Sequence, residues 1–78
     1  MLVRLMVVSS RKENYHSVAL NHLFDVFELD SALVGERGIF NKINSETVLQ
    51  TSTIEKVDLS NKSIFITTKN SRYTFKVI

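Results

Sequence analysis

Apolar and polar residues alternate with period two most clearly in the C-terminal part of the chain. Ile64 and Ile66 alternate with Phe65 and Thr67, and Tyr73, Phe75 and Val77 alternate with Arg72, Thr74 and Lys76. Successive side chains of a strand point to opposite faces, so two such runs flanking Lys69-Asn70-Ser71 predict a half-buried β-hairpin. With Asn70 and Ser71 as the loop pair, Ile66 is expected opposite Phe75, Ile64 opposite Val77 and Thr68 opposite Tyr73, which makes one apolar face. The other face then carries Lys69 beside Arg72, Thr67 beside Thr74 and Phe65 beside Lys76.

Upstream, Thr47 to Leu59 is β-branched and hydroxyl-rich, as expected of a half-exposed strand. A Ser60-Asn61 turn into the hairpin would set Val57 opposite Ile64, but it would also bring Glu55 against Ile66 on the apolar side. One extra residue at Glu55-Lys56 removes that conflict by bringing Ile54 to Ile66, so a β-bulge is predicted there. Lys56 then points outward beside Phe65, and a row of Lys56, Phe65 and Lys76 crosses three strands.

The opening residues 2–8, LVRLMVV, are nearly continuous in apolar character and predict a central strand covered on both faces. Ser10-Arg11-Lys12-Glu13 then matches the Ser-x-x-Glu capping box of a starting helix. Asn14, Ser17, Asn21, Asp25 and Glu28 recur at helical spacing, with Tyr15, Ala19, Leu20, Leu23, Phe24, Val26 and Phe27 around the rest, predicting a helix over 11–28. Gly35-Glu36-Arg37-Gly38 signals a turn between Ala32-Leu33-Val34 and Ile39-Phe40, as a short hairpin or a loop. Strand, helix and meander together predict a single α+β domain over 1–78, one helix packed on a mostly antiparallel sheet of four to five strands. A small curved β-barrel capped by that helix is the alternative. The open sheet would leave Met6, Val8 and Phe65 on its far side, a patch suited to a partner or to a homodimer joined through its sheets.

With 78 residues the chain can build one core of limited size, and pairing with a second copy would add appreciably to its stability. There is no cysteine, which excludes disulfides and thiolate metal sites and suits a reducing cytoplasm. The apolar opening is too short to cross a bilayer, so a soluble cytoplasmic protein without membrane contact is expected. The net charge of +2 is unevenly spread. Glu13, Asp25, Glu28, Asp30 and Glu36 fall in a stretch without lysine or arginine, whereas Lys56, Lys62, Lys69, Arg72 and Lys76 outnumber Glu55 and Asp58 from Ile54 onward. An acidic helix side and a basic sheet side follow from the predicted elements.

Catalytic chemistry finds little to work with. His16 and His22 are the only histidines, no nucleophile elbow is present, and their spacing of six does not put two ligands on one side of a helix. Asp25 and Glu28 share a helical face but read as solvated carboxylates. Gly35-Glu36-Arg37-Gly38 lacks the lysine and the context of a phosphate-binding loop. A protein without enzymatic activity, cofactor or metal is therefore expected. The basic face, with Lys56, Phe65, Lys69, Arg72 and Lys76 as candidate contacts, combines phosphate-neutralising charge with an aromatic plane.

Leu49-Gln50-Thr51-Ser52-Thr53-Ile54, followed by Lys62 through Phe75 with its Thr68-Lys69-Asn70-Ser71-Arg72-Tyr73, resembles a tail found in small uncharacterised proteins of Gram-positive bacteria, their phages and their plasmids. The shared pattern is Thr-Ser before an aliphatic strand, then Thr-x-Asn-Ser-x-Tyr closing a hairpin, and it covers about the last third of the chain. The resemblance implies a mobile-element accessory protein, a class that includes host-directed inhibitors, anti-CRISPR proteins among them, and small regulators. It carries no catalytic residues. Two readings result: docking on a host protein or nucleoprotein through the sheet's outer face or the acidic helix, and direct binding of RNA or single-stranded DNA by the basic sheet face.

Overall fold

Six segments of the chain alternate inward and outward side chains and pair as strands: β1 (Leu2–Ser10), β2 (Val26–Ser31), β3 (Arg37–Lys42), β4 (Val48–Ser60), β5 (Ser63–Thr68) and β6 (Ser71–Val77). In this computed structural model, which describes residues 1–13 and 17–78, every pairing is antiparallel. Consecutive strands are neighbours, and β6 returns to pair with β1, which closes the sheet into a barrel. Closure leaves no unpaired sheet edge between first and last strand.

The α+β arrangement is therefore not what forms, and the predicted helix over 11–28 is absent from both its expected settings. Among the described residues the helical content is one 3₁₀ turn, Val18–His22, capped by Ser17, whose Oγ accepts from the Ala19 amide at 3.2 Å. Ser10 does not act as the first half of a capping box. Its hydroxyl accepts from the Lys12 amide at 3.1 Å and donates to the Lys12 carbonyl at 2.7 Å, a local turn that competes with helix initiation. Asn14, Tyr15 and His16 lie outside the described residues. Phe24 adopts φ 70°, which no helix accommodates, and from Val26 onward Phe27 is buried while Glu28 and Asp30 face out. The same residues fit both periods; Phe27 is held as a strand residue because a core position opposite Val3 requires it.

Two strands are shared between two halves of the barrel. β1 pairs with β2 only through Leu2, Val3 and Arg4, but with β6 from Val3 to Ser10. β4 pairs with β3 through Val48 to Thr53 and with β5 through Ile54 to Ser60. The register shifts at Met6 in β1 and at Glu55 in β4, where each strand passes from one half to the other. Bulges bend a strand and increase its twist, so these two residues turn the corners of the barrel. The bulge predicted at Glu55-Lys56 is present at Glu55. The one at Met6 inverts the alternation of the N-terminal run, so Val7 is exposed while Met6 and Val8 are half-buried and Val8 packs on the core.

The core is assembled from both halves. Phe40 of β3 stacks on Phe75 of β6 with ring centroids 4.4 Å apart, and Phe27 meets Phe40 edge-on at 6.4 Å. Val3, Leu5, Ala19, Leu49, Ile54, Ile64, Ile66 and Tyr73 complete the buried cluster. Residues 32–36 form the turn of a β2–β3 hairpin, and Gly35 takes φ 90° in it. Gly38 is not part of that turn but a bulge residue inside β3, where its amide donates to Thr51 Oγ1 at 2.8 Å.

Both C-terminal hairpins are offset by two residues from the predicted register. Asn61 and Lys62, at φ 47° and 64°, make the first loop, which sets Val57 opposite Ile66 and Leu59 opposite Ile64. Lys69 and Asn70 make the second, which sets Ile64 opposite Phe75 and Ile66 opposite Tyr73. Ser71 is fully buried and pairs with Ser10, the last residue of β1, so β6 starts one position earlier than expected and closes the barrel over its full length. An offset of two preserves which face each residue takes and changes every neighbour.

Two stability predictions follow from these turns and bulges. A Cβ on Gly38 would lie 3.0 Å from Thr51 Oγ1, 3.1 Å from Phe40 Cε1 and 3.2 Å from Ile54 Cδ1. Gly38→Ala is expected to cost about 1–3 kcal/mol, read as a lower urea midpoint at unchanged slope. Lys62→Gly relieves a side chain held in the left-handed region of a two-residue hairpin loop and is expected to raise stability by about 0.5 kcal/mol in the same measurement.

Candidate binding surface on the cationic sheet

Alternation along β4, β5, β6 and β1 builds a face of three outward rows. The first is Lys56, Thr67, Arg72 and Ser9; the second is Asp58, Phe65, Thr74 and Val7; the third is Ser60, Ser63, Lys76 and Arg4. Phe65 sits in the middle row, 42% exposed, with Asp58 and Thr74 directly beside it. Lys56, Arg72 and Lys76 are its diagonal neighbours. Hydroxyls of Ser60, Ser63, Thr67, Thr74 and Ser9 fill the spaces between, and Val7, 52% exposed, ends the middle row.

Of the predicted contact residues, Lys56, Phe65, Arg72 and Lys76 do share this face, but not as a single row. Phe65 faces Thr74 rather than Lys76, and Asp58 rather than Lys56, because of the two-residue offset. Lys69 lies at the β5–β6 tip, where its amide donates to the Thr53 carbonyl at 2.9 Å, beyond the first row. Arg4, Val7 and Asp58 belong to the face and were not anticipated. Reading residues 2–8 as covered on both sides concealed Arg4, although a cation between inward Val3 and Leu5 is itself the signal of an outward position.

Charge on this face is incompletely neutralised. Lys56 Nζ is 3.4 Å from Asp58 Oδ2, and Arg11 ties Glu55 at 2.5 Å above the bulge. Among the described residues no carboxylate lies within ion-pair distance of Arg4, Arg72 or Lys76. Arg4 and Lys76 are direct cross-strand partners, a like-charge pairing that disfavours the free protein and favours an anion between them. The acidic side anticipated on a helix does not exist as such; Glu28 and Asp30 instead project from β2 in the other half of the barrel. At the foot of the cationic sheet, Ser60 and Ser63 border an open pocket of about 290 Å³ walled by Leu59, Ile64 and Val77, with Lys62 at its lip.

Residues carrying the Thr-Ser and Thr-x-Asn-Ser pattern meet at the other end of this sheet. Ser52 Oγ donates to Thr68 Oγ1 at 2.8 Å and accepts from the Asn70 amide at 3.2 Å, while Thr68 Oγ1 donates to the Ser71 carbonyl at 3.0 Å and accepts from its amide at 3.1 Å. Arg11 adds its guanidinium to the Thr68 carbonyl at 2.7 Å and its amide to the Asn70 carbonyl at 2.9 Å. These bonds pin the β5–β6 tip to β4 where it bends, although Asn70 Oδ1 and Ser71 Oγ are buried there without a hydrogen-bond partner, so this pattern positions the face rather than forming it.

A second polar cluster lies in the other half. His22 Nδ1, as the tautomer protonated there, donates to Asp25 Oδ2 at 3.1 Å, and Lys42 Nζ approaches the same oxygen at 3.2 Å. The His22 ring stands edge-on to Phe27 at 6.2 Å. These contacts clamp the 3₁₀ segment to β3. Asp25 and Glu28, expected to share a helical face, do not come together: Asp25 precedes β2 and Glu28 is an outward residue of it. Among the described residues no three histidine or carboxylate groups converge as metal ligands, and no helix is long and apolar enough to cross a membrane. His16 lies outside the described residues. The chain matches no family model, no curated protein and no solved structure, so the reading of this surface rests on its geometry.

The hydrogen bond from His22, and then Lys42, holds the Asp25 carboxyl below the usual carboxylate range. A carboxylate more acidic in the folded state stabilises the fold above its unfolded value of about 3.9, and that stabilisation is lost as pH falls through the lower folded value. Asp25→Asn is expected to lower the melting temperature at neutral pH and to flatten the acid limb of stability against pH, the two proteins converging at the acid end. Parallel limbs in thermal melts from pH 6 down to about pH 2 would contradict this.

Proposed function

We propose that this chain is a small non-enzymatic binding protein that engages its partner through the outward face of β4, β5, β6 and β1. The observation that carries the reading is Phe65, a large apolar side chain kept exposed at the centre of a sheet and flanked diagonally by Lys56, Arg72 and Lys76, of which only Lys56 has a carboxylate, Asp58, within ion-pair distance among the described residues. A partner that covers the ring gains the burial of its apolar surface, and the cations around it supply the charge to orient that partner. Arg4, Lys56, Arg72 and Lys76 attract an anionic partner over distances of a Debye length and orient it on the face. Because the barrel is closed, recognition uses side chains rather than addition of a strand to an edge.

The C-terminal resemblance gives this binding a setting, that of a mobile-element accessory protein acting in the cytoplasm on a host nucleoprotein as inhibitor or regulator. Affinity capture from lysate of a Gram-positive host tests the surface. The wild-type protein is expected to retain a macromolecular partner that Phe65→Ala and the double substitution Arg72→Glu, Lys76→Glu lose. Arg37→Glu, on β3 in the other half of the barrel, should keep it. Equal recovery by all four proteins, or recovery by none, would refute the role of this face.

A further inference from the structure

We infer that the ligand of this face is a single strand of nucleic acid, RNA or DNA; the inference rests on the binding surface proposed above and specifies what occupies it. Composition decides against a protein as the occupant. Of the twelve outward positions in the three rows only Phe65 and Val7 are apolar, while five are hydroxyls and four are cations. The centre of a protein interface is enriched in aromatic residues and arginine and depleted in serine, lysine and aspartate; Phe65, Arg4 and Arg72 suit either occupant, but the lysines, Asp58 and the hydroxyls around them depart from that composition. Phosphates, by contrast, are served by arginine and lysine together with hydroxyl donors.

Arrangement decides between single strand and duplex. Arg72 and Lys76 flank Phe65 diagonally along β6, about 13 Å apart for four residues of strand, with Arg4 extending the cationic track on one side and Lys56 on the other. A backbone following that track can lay one base on the Phe65 ring, which a paired base cannot offer. Every base has a π-face, so such stacking tolerates any sequence. The face belongs to a closed barrel and presents no free ribbon or helix to enter a groove of duplex DNA.

Fluorescence anisotropy with labelled oligouridine and oligothymidine of about 12 nucleotides, beside a duplex of equal length, tests this directly and separates the two chemical sources. Neutralisation of three to four phosphates predicts a slope of about −2 to −3 for log affinity against log salt, a loss of about 20- to 50-fold between 50 and 200 mM. Phe65→Ala and Phe65→Leu are each expected to weaken binding by about 5- to 100-fold, the leucine variant showing that the ring plane rather than apolar volume matters. Arg72→Glu with Lys76→Glu should abolish binding, whereas Arg37→Glu, at half that change in net charge and in the other half of the barrel, should alter it by no more than about twofold. All these positions are exposed, and thermal melts verify that the variants fold. No binding at low salt, equal affinity for the duplex, or indifference to both Phe65 variants would overturn the inference. If the oligonucleotides fail while face-dependent capture survives nuclease treatment of the lysate, the partner is a protein and only this inference falls. Failure of both assays removes the surface as well.

Discussion

The stack of Phe40 on Phe75 is the contact around which the rest of the molecule is arranged. The two rings come from β3 and β6, strands that are not neighbours in the sheet, and at 4.4 Å they leave the barrel interior closed to solvent. For both to reach the middle, β1 and β4 must each serve two halves, and a regular strand cannot do so without bending. Met6 and Glu55 supply the bends as bulges. An aromatic pair with large buried area thus dictates a curved, closed sheet in a chain too short for a second layer.

The bulge at Glu55 needs further support, because it leaves a carboxylate and several backbone groups at a corner of the barrel. Arg11 answers the carboxylate, and Gly35 and Glu36 in the β2–β3 turn bond both backbone groups of Ile54 at 2.8 Å. The hydroxyls of Ser52 and Thr68, with the backbone amide and carbonyl of Ser71, complete the corner from the other side. A corner held in this way fixes how β5 and β6 lie on β4, and with it the neighbours of Phe65. Packing inside the barrel and recognition outside it are coupled through the same register.

Charge was legible as a bias of composition but not as a surface. The basic C-terminal residues do share one sheet, while the acidic ones belong to β2, to turns and to the Asp25 clamp rather than to a helix face. Arg4 joins the cations only because β6 closes on β1 and sets it beside Lys76, a partner more than seventy residues away. No local pattern reports a pairing of that separation. Asp58 is on the face by the same alternation as Lys56, and the Asn61-Lys62 loop decides only that it lies opposite Phe65.

The region from Ser10 to Asp30 shows how far periodicity reaches. Phe24, Phe27 and Glu28 suit a helical wheel, and Phe27 to Asp30 suit a strand equally well; the vacancy beside Val3 in a closing sheet selects the strand. In the C-terminal hairpins, alternation by itself determined which side chains face the core and which face water, including the outward set of Lys56, Phe65, Arg72 and Lys76. It also located the bulge at Glu55, because a glutamate forced onto the inward face is costly whether it meets Ile66, as in the expected register, or buried Thr68, as in the observed one. What only the tertiary structure decided is the register and the closure. A slip of two residues leaves every face unchanged, so the choice falls to long-range contacts, above all burial of Ser71 against the end of β1 and the meeting of Phe40 with Phe75.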